Sequence, residues 1–148
     1  MNDEKLKLDN QLCFPVYAAS RLITREYQPY LDKLGITYPQ YLVLLVLWET
    51  DGLTVNTIAK KLILNTNTLT PLLKRMEQMD LLTRKRSEKD ERKVIIQLRN
   101  KGKQLKDEAV LIPEELIKRL SASDLELDDL IKLKENLKDL IAILSKQA

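Results

Sequence analysis

Thr66-Asn67-Thr68-Leu69-Thr70-Pro71-Leu72-Leu73-Lys74-Arg75-Met76-Glu77-Gln78-Met79 decides the fold. Wound at helical spacing, it puts Leu69, Leu72, Leu73, Met76 and Met79 on one arc. Asn67, Thr70, Pro71, Lys74 and Gln78 fall on the opposite arc, with Thr68 and Arg75 at its edge. The dry arc belongs to a core. The wet arc is small, polar and basic, which is what a helix needs to enter a major groove and hydrogen-bond there through its first turns.

Working outward, Thr54 reads as the cap of a short helix, Val55–Leu62, separated from the first by a tight turn. Residues 81–86 and 93–98 read as two strands, although Ile95 breaks the alternation of the second. Between them Ser87-Glu88-Lys89-Asp90-Glu91-Arg92 forms a charged tip without glycine. Helix, turn, helix and basic hairpin is the order of a winged helix-turn-helix, in a chain that is otherwise mainly α. Farther upstream, Val16, Ala19, Ile23, Tyr27, Leu31 and Leu34 keep helical spacing. Pro15 suits a first turn, Pro29 predicts a kink or break near Tyr30, and Gly35 closes the segment. Thr37-Tyr38-Pro39-Gln40 is a capping box opening an apolar helix to about Glu49. After the hairpin a helix restarts at Asn100, is interrupted near Pro113, and a second capping box, Ser123-Asp124-Leu125-Glu126, opens a helix to about Lys146. Its apolar stripe is broad and points to pairing between subunits.

Composition narrows the function. The chain has 148 residues, one cysteine and no histidine. That leaves no Ser-His or Cys-His pair, no internal disulfide and no plausible zinc site, so no enzyme, metal or cofactor is expected. No phosphate-binding glycine loop, secretory signal or apolar run of membrane length is visible, which predicts a cytoplasmic protein without a membrane partner. Between Lys60 and Lys93 ten Lys or Arg stand against five Asp or Glu. That stretch therefore carries +5 in a chain of net +3, leaving −2 elsewhere. A basic middle between near-neutral helices is a surface built to face phosphates. The DNA-facing set is Thr66, Asn67, Thr68 and Thr70 for base edges or phosphates and Lys74 and Arg75 for phosphates farther along. Arg84, Arg86, Asp90 and Arg92 complete it on the hairpin, beside flanking phosphates or a narrow minor groove.

Thr68-Leu69-Thr70-Pro71-Leu72-Leu73-Lys74-Arg75-Met76-Glu77, followed by Arg84-Lys85-Arg86 and Asp90-Glu91-Arg92, resembles the MarR family of bacterial regulators. Gln11-Leu12-Cys13-Phe14 with Tyr17, then Tyr27, then Thr37-Tyr38-Pro39-Gln40-Tyr41-Leu42, is similar to its one-cysteine branch, the organic hydroperoxide resistance repressors (OhrR). The similarity spans about residues 8–112. It implies an intertwined homodimer with two wings astride a palindromic operator. Residues 1–148 then form one domain, in which 8–34 and 101–148 pair the subunits and 38–98 bind DNA. The chain departs from the branch in three places: Asn65-Thr66-Asn67 replaces Asp-Ser-Gly, Arg99 replaces Thr, and Pro15 replaces an aliphatic residue.

Taken alone, Cys13 reads as a small buried hydrophobe or as a sensor beside helix amides that favour a thiolate. The resemblance implies a sensor, held by Tyr27 and Tyr38 of the partner subunit with Tyr17 one helical turn away. An organic hydroperoxide would oxidise it to a sulfenic acid, and a small thiol forming a mixed disulfide, or further oxidation, would make the change last, releasing the operator and derepressing peroxide-detoxification genes. Alternatives remain at this level. The chain could answer to a small aromatic ligand, with Cys13 structural, or use the same cysteine in a wider stress or virulence programme. A thiol peroxidase lacks the histidine and second cysteine it would need, and a protein-binding scaffold leaves the basic hairpin unexplained.

Overall fold

The computed structural model describes residues 3–122 and 124–146, which form two compact units dividing between Val110 and Leu111. In the first unit two short 3₁₀ turns, Asp3–Leu6 and Leu8–Asn10, precede helix α1, Cys13–Leu34. Gly35, at φ 69°, ends α1 in the left-handed conformation, and its N–H returns to the Leu31 and Asp32 carbonyls. The kink expected at Pro29 does not divide the element: Pro29 lies inside one uninterrupted 22-residue helix. Proline removes one hydrogen bond, but this half of α1 is held by packing. Leu31 is fully buried, and the Tyr27 ring meets those of Tyr38 and Tyr41 on the following helix.

That helix, α2 (Tyr38–Glu49), opens with the capping box read from the sequence. The Gln40 N–H donates to Thr37 Oγ1 at 3.4 Å, and the Thr37 N–H donates to Gln40 Oε1 at 3.0 Å. Tyr41, Val43, Leu44 and Leu47 are buried, so α2 is the central beam of this unit, although Leu45 remains 40% exposed. Helix α3 (Val55–Leu62) is capped by Thr54, whose hydroxyl accepts from the Thr57 N–H at 3.2 Å. Ile63, at φ 55°, makes the sharp turn, and Asn65 caps helix α4 (Thr66–Gln78) by accepting from the Asn67 N–H at 2.8 Å. Pro71 sits inside α4. The carbonyl it leaves free is that of Asn67, on the wet arc, where water can take it.

Strands β1 (Leu53–Thr54), β2 (Leu82–Arg86) and β3 (Val94–Leu98) form an antiparallel sheet in the order β1-β3-β2. The hairpin was expected and β1 was not, since two residues carry no readable alternation. β1 also explains Ile95: β3 is the central strand, and Ile95 is half-buried between Thr54 on one side and Lys85 on the other. Helix α5 (Asn100–Ala109) crosses the base of the sheet through Gly102, where a Cβ would collide with the Leu81 carbonyl oxygen and stand 3.1 Å from Leu98 Cδ2. Trp48 Nε1 locks the same place by donating to the Gly102 carbonyl at 2.8 Å. Arg99, the N-cap of α5, makes no side-chain cap and instead pairs with Asp80.

The second unit contains α6 (Ile112–Ser121) and α7 (Leu127–Ser145). Pro113 stands in the first turn of α6, which accounts for the interruption seen in the sequence. Ser123 lies outside the described residues, and α7 begins later than its expected capping box. Glu126 is the N-cap, and its N–H donates to Asp129 at 3.2 Å. No residue of α7 is buried, and Leu127, Ile131, Leu133, Leu140, Ile141 and Leu144 stay 41–57% exposed. An apolar stripe left open along a five-turn helix awaits a second surface.

Candidate functional site

The basic face is built around one concavity of about 200 Å³. Thr54 and Asn56 at the head of α3, Thr66 and Thr70 on the first turns of α4, and Arg84, Arg92 and Lys93 on the hairpin line it. Two expected properties of α4 are present: Leu69, Leu72, Leu73 and Met76 are buried, and Asn67, Thr68, Lys74 and Arg75 are exposed. The amides of its first turn are already engaged, since the Asn67 N–H donates to Asn65 Oδ1 and the Thr68 and Leu69 N–H groups donate to the Asn65 carbonyl. Of the expected set, Thr66, Thr70, Arg84 and Arg92 meet in the concavity, while Asn67, Thr68, Lys74, Arg75 and Arg86 stand on exposed surface outside it.

The tip of the hairpin holds its shape without glycine because its own side chains bond its backbone. Ser87 Oγ accepts from the N–H groups of Lys89 at 3.2 Å and Asp90 at 3.4 Å, and the Ser87 N–H donates to the Lys93 carbonyl at 2.8 Å. Asp90 Oδ1 accepts from the Arg92 N–H at 3.1 Å and from Arg92 Nε at 3.3 Å. Asp90 is therefore the brace of the tip, and Arg92, with a side chain 92% exposed, is the group it aims outward. Arg84 differs from both: its Nε is buried, and the Glu77 carboxylate of α4 grips it.

Cys13 is exposed at the first position of α1. Tyr17, one turn on, is also exposed, and the Arg21 guanidinium lies 4.7 Å from its ring centroid. Tyr27 and Tyr38 lie elsewhere, in a cluster with Tyr41. Ring centroids are 5.0 Å apart for Tyr27–Tyr38, 5.8 Å for Tyr27–Tyr41 and 6.2 Å for Tyr38–Tyr41. Burial, with the neighbouring phenols second, pushes Tyr27 up to about 12, and burial raises Tyr38 and Tyr41 as well. The three hydroxyls stay protonated at any ordinary pH and can donate to an anion. Fourteen helical steps separate Cys13 from Tyr27 along one helix, which places them about 21 Å apart at the helical rise. A single chain cannot close that gap.

The sequence reading missed Thr54, Asn56 and Lys93 in the concavity and Tyr41 in the ring cluster. Lys93 ends the charged tip, and Tyr41 follows Tyr38 by three residues on one helix face, so both carried a signal. Thr54 had been read only as a cap, and nothing local marked Asn56.

The family model for transcriptional regulators SarA/Rot matches residues 25–109. The chain is 51% identical to an organic hydroperoxide resistance transcriptional regulator of Bacillus subtilis (strain 168), over 97% of this chain and 96% of that one. It is 40% identical to the HTH-type transcriptional regulator MgrA of Staphylococcus aureus, over 90% of both. Among solved structures, reduced AbfR bound to DNA matches with a TM-score of 0.80 and 38% identity, over 99% of each chain. The chain belongs to the MarR and SarA/Rot type of winged-helix transcriptional regulators, in the organic hydroperoxide resistance branch.

Proposed function

We propose that this protein is a redox-sensing transcriptional repressor that binds a palindromic operator as a homodimer and releases it when an organic hydroperoxide oxidises Cys13. The observation that carries the reading is the exposed thiol of Cys13 at the head of α1, in a chain half identical over nearly its whole length to a hydroperoxide resistance regulator. Residues 38–98 grip the duplex, with Thr66, Asn67, Thr68 and Thr70 at the groove, Lys74 and Arg75 on phosphates, and Arg86 and Arg92 of the wing on the flanks. Residues 8–34 and 101–148 pair the subunits; α5 within them also anchors the wing through Gly102. The apolar stripes of α1 and α7 are the surfaces such pairing buries. It also brings Tyr27 and Tyr38 of the partner subunit to the sulfur, the contact a single chain cannot make.

The chemistry balances without a cofactor. Cys13 sulfur attacks the outer oxygen of the hydroperoxide and an S–O bond forms. The O–O bond breaks, and the alkoxide leaves as the alcohol after taking the thiol proton. A small thiol then displaces water from the sulfenic acid to leave a mixed disulfide. The enlarged sulfur loses its tyrosine partners and the wings leave their half-site spacing. This assignment puts the protein in the cytoplasm, and no described helix is long and apolar enough to cross a membrane. The test is a gel shift with the DNA upstream of the protein's own coding sequence, with and without cumene hydroperoxide. The wild type releases the DNA on oxidation; Cys13→Ser binds equally well and ignores the oxidant. Release of Cys13→Ser by the hydroperoxide would overturn the assignment of the sensor.

A further inference from the structure

Glu77 is the one acid of α4, and it does not face solvent freely. Its Oε2 accepts from the backbone N–H of Arg84 at 2.7 Å, and its Oε1 pairs with Arg84 Nε at 3.4 Å. Both side chains are largely shielded, with 34% of Glu77 and 25% of Arg84 exposed. Arg84 is the middle residue of β2, opposite Ile96, and β2 is the outer strand of the sheet. An N–H on that free edge would otherwise lack a partner, and a carboxylate is a strong acceptor for it. The buried Arg84 Nε has no hydrogen bond of its own, so the Glu77 charge is what compensates it.

We propose that Glu77 is a positioning residue that sets the angle between the α4 recognition helix and the wing, and that Arg84 serves as its strut rather than as a DNA-reading side chain. Only Met79, Asp80 and Leu81 connect α4 to β2, and Asp80 turns the chain at φ 64°. On the far side of this corner, Arg99 pairs with Asp80, the Arg99 N–H donates to the Leu81 carbonyl at 2.9 Å, and Lys101 donates to the Met79 carbonyl at 3.0 Å. Those bonds fix the turn, and pairing with β3 holds β2 in the sheet, but none of them ties the outer edge of β2 to α4. The Glu77–Arg84 link supplies that tie, from the next-to-last residue of α4 to the third residue of β2. Because Arg84 also lines the concavity with Thr66 and Thr70, the link sets the distance over which α4 and Arg92 reach DNA together.

The inference rests on the DNA-binding reading for its functional half and on the free protein for its structural half, so the experiment has two arms. In the free protein, hydrogen exchange at the Arg84 amide is slow in the wild type and in Glu77→Gln, which keeps an acceptor, and faster in Glu77→Ala. On DNA, binding is measured by anisotropy on the operator and on versions with one base pair inserted or removed between recognition-helix and wing contacts. The wild type discriminates among them. Glu77→Ala loses about tenfold on the parent operator, the scale of one charge-assisted hydrogen bond, together with most of the discrimination, and Arg84→Ala added to it costs nothing more. An unprotected Arg84 amide in the wild type, undiminished discrimination in Glu77→Ala, or additive losses in the double variant would each overturn the proposal. If the wild type bound none of these duplexes, the DNA-binding reading would fall instead, with the exchange arm still deciding the strut.

Discussion

Tyr27 shows how a single residue joins packing to chemistry. It stabilises the second half of α1 against α2, and the same burial that makes it a packing residue lifts its phenol from 10.0 to about 12. The neutral form is favoured in the fold. The folded chain therefore keeps a proton that the unfolded chain releases once pH passes about 10, and the stability this brings is intact below that pH and lost as pH rises toward about 12. Thermal unfolding followed across that window should show a falling melting temperature in the wild type and a shallower fall in Tyr27→Phe. Equal slopes would mean that the cluster does not couple burial to protonation. Cys13 is the counterpart at this scale: the sequence marked it by its neighbours, and nothing within one chain completes its surroundings.

Elements were legible where a side-chain pattern or a cap governs them. Thr37-Tyr38-Pro39-Gln40 announces α2, and the dry arc of Leu69, Leu72, Leu73 and Met76 announces α4, because both signals are local. Pro29 does not break α1 because its cost is local and its compensation is tertiary, in the rings of Tyr38 and Tyr41 that lie beyond the next turn. The strand β1 was invisible for the same reason, since only β3 gives Leu53 and Thr54 a sheet to join. At the candidate site, the exposure of Asn67 and Thr68 on α4 and of Arg92 at the tip was readable, whereas the bonds of Arg84 and Asp90 depend on partners that only folding brings near. Gly102 is a case where an element depends on one missing atom. Gly102→Ala presses a methyl group into the Leu81 carbonyl and should cost about 1–3 kcal/mol, as overpacking does. Urea denaturation would measure it, and an unchanged midpoint would refute the close approach as a constraint.

The whole molecule carries a surface that a lone chain leaves unfinished. Leu12, which precedes α1, and Val16 and Leu22 within it are exposed, as is the stripe along α7, and burying such faces is the driving force for subunit pairing. Leu140→Asp places a charge in that stripe, so analytical ultracentrifugation should show the sedimentation of a single chain where the wild type sediments as a dimer. A dimer unaffected by the charge would move the interface elsewhere. Pairing is also what lets the sulfur of each chain act on the spacing of the two wings. Fluorescence anisotropy of a labelled operator held by the protein, titrated with cumene hydroperoxide while mass spectrometry follows Cys13, measures this directly. The account predicts release in step with modification of Cys13, complete when each chain has reacted once, and no release from Cys13→Ser. A wild-type protein that stays on its operator with every Cys13 converted to the mixed disulfide would contradict it.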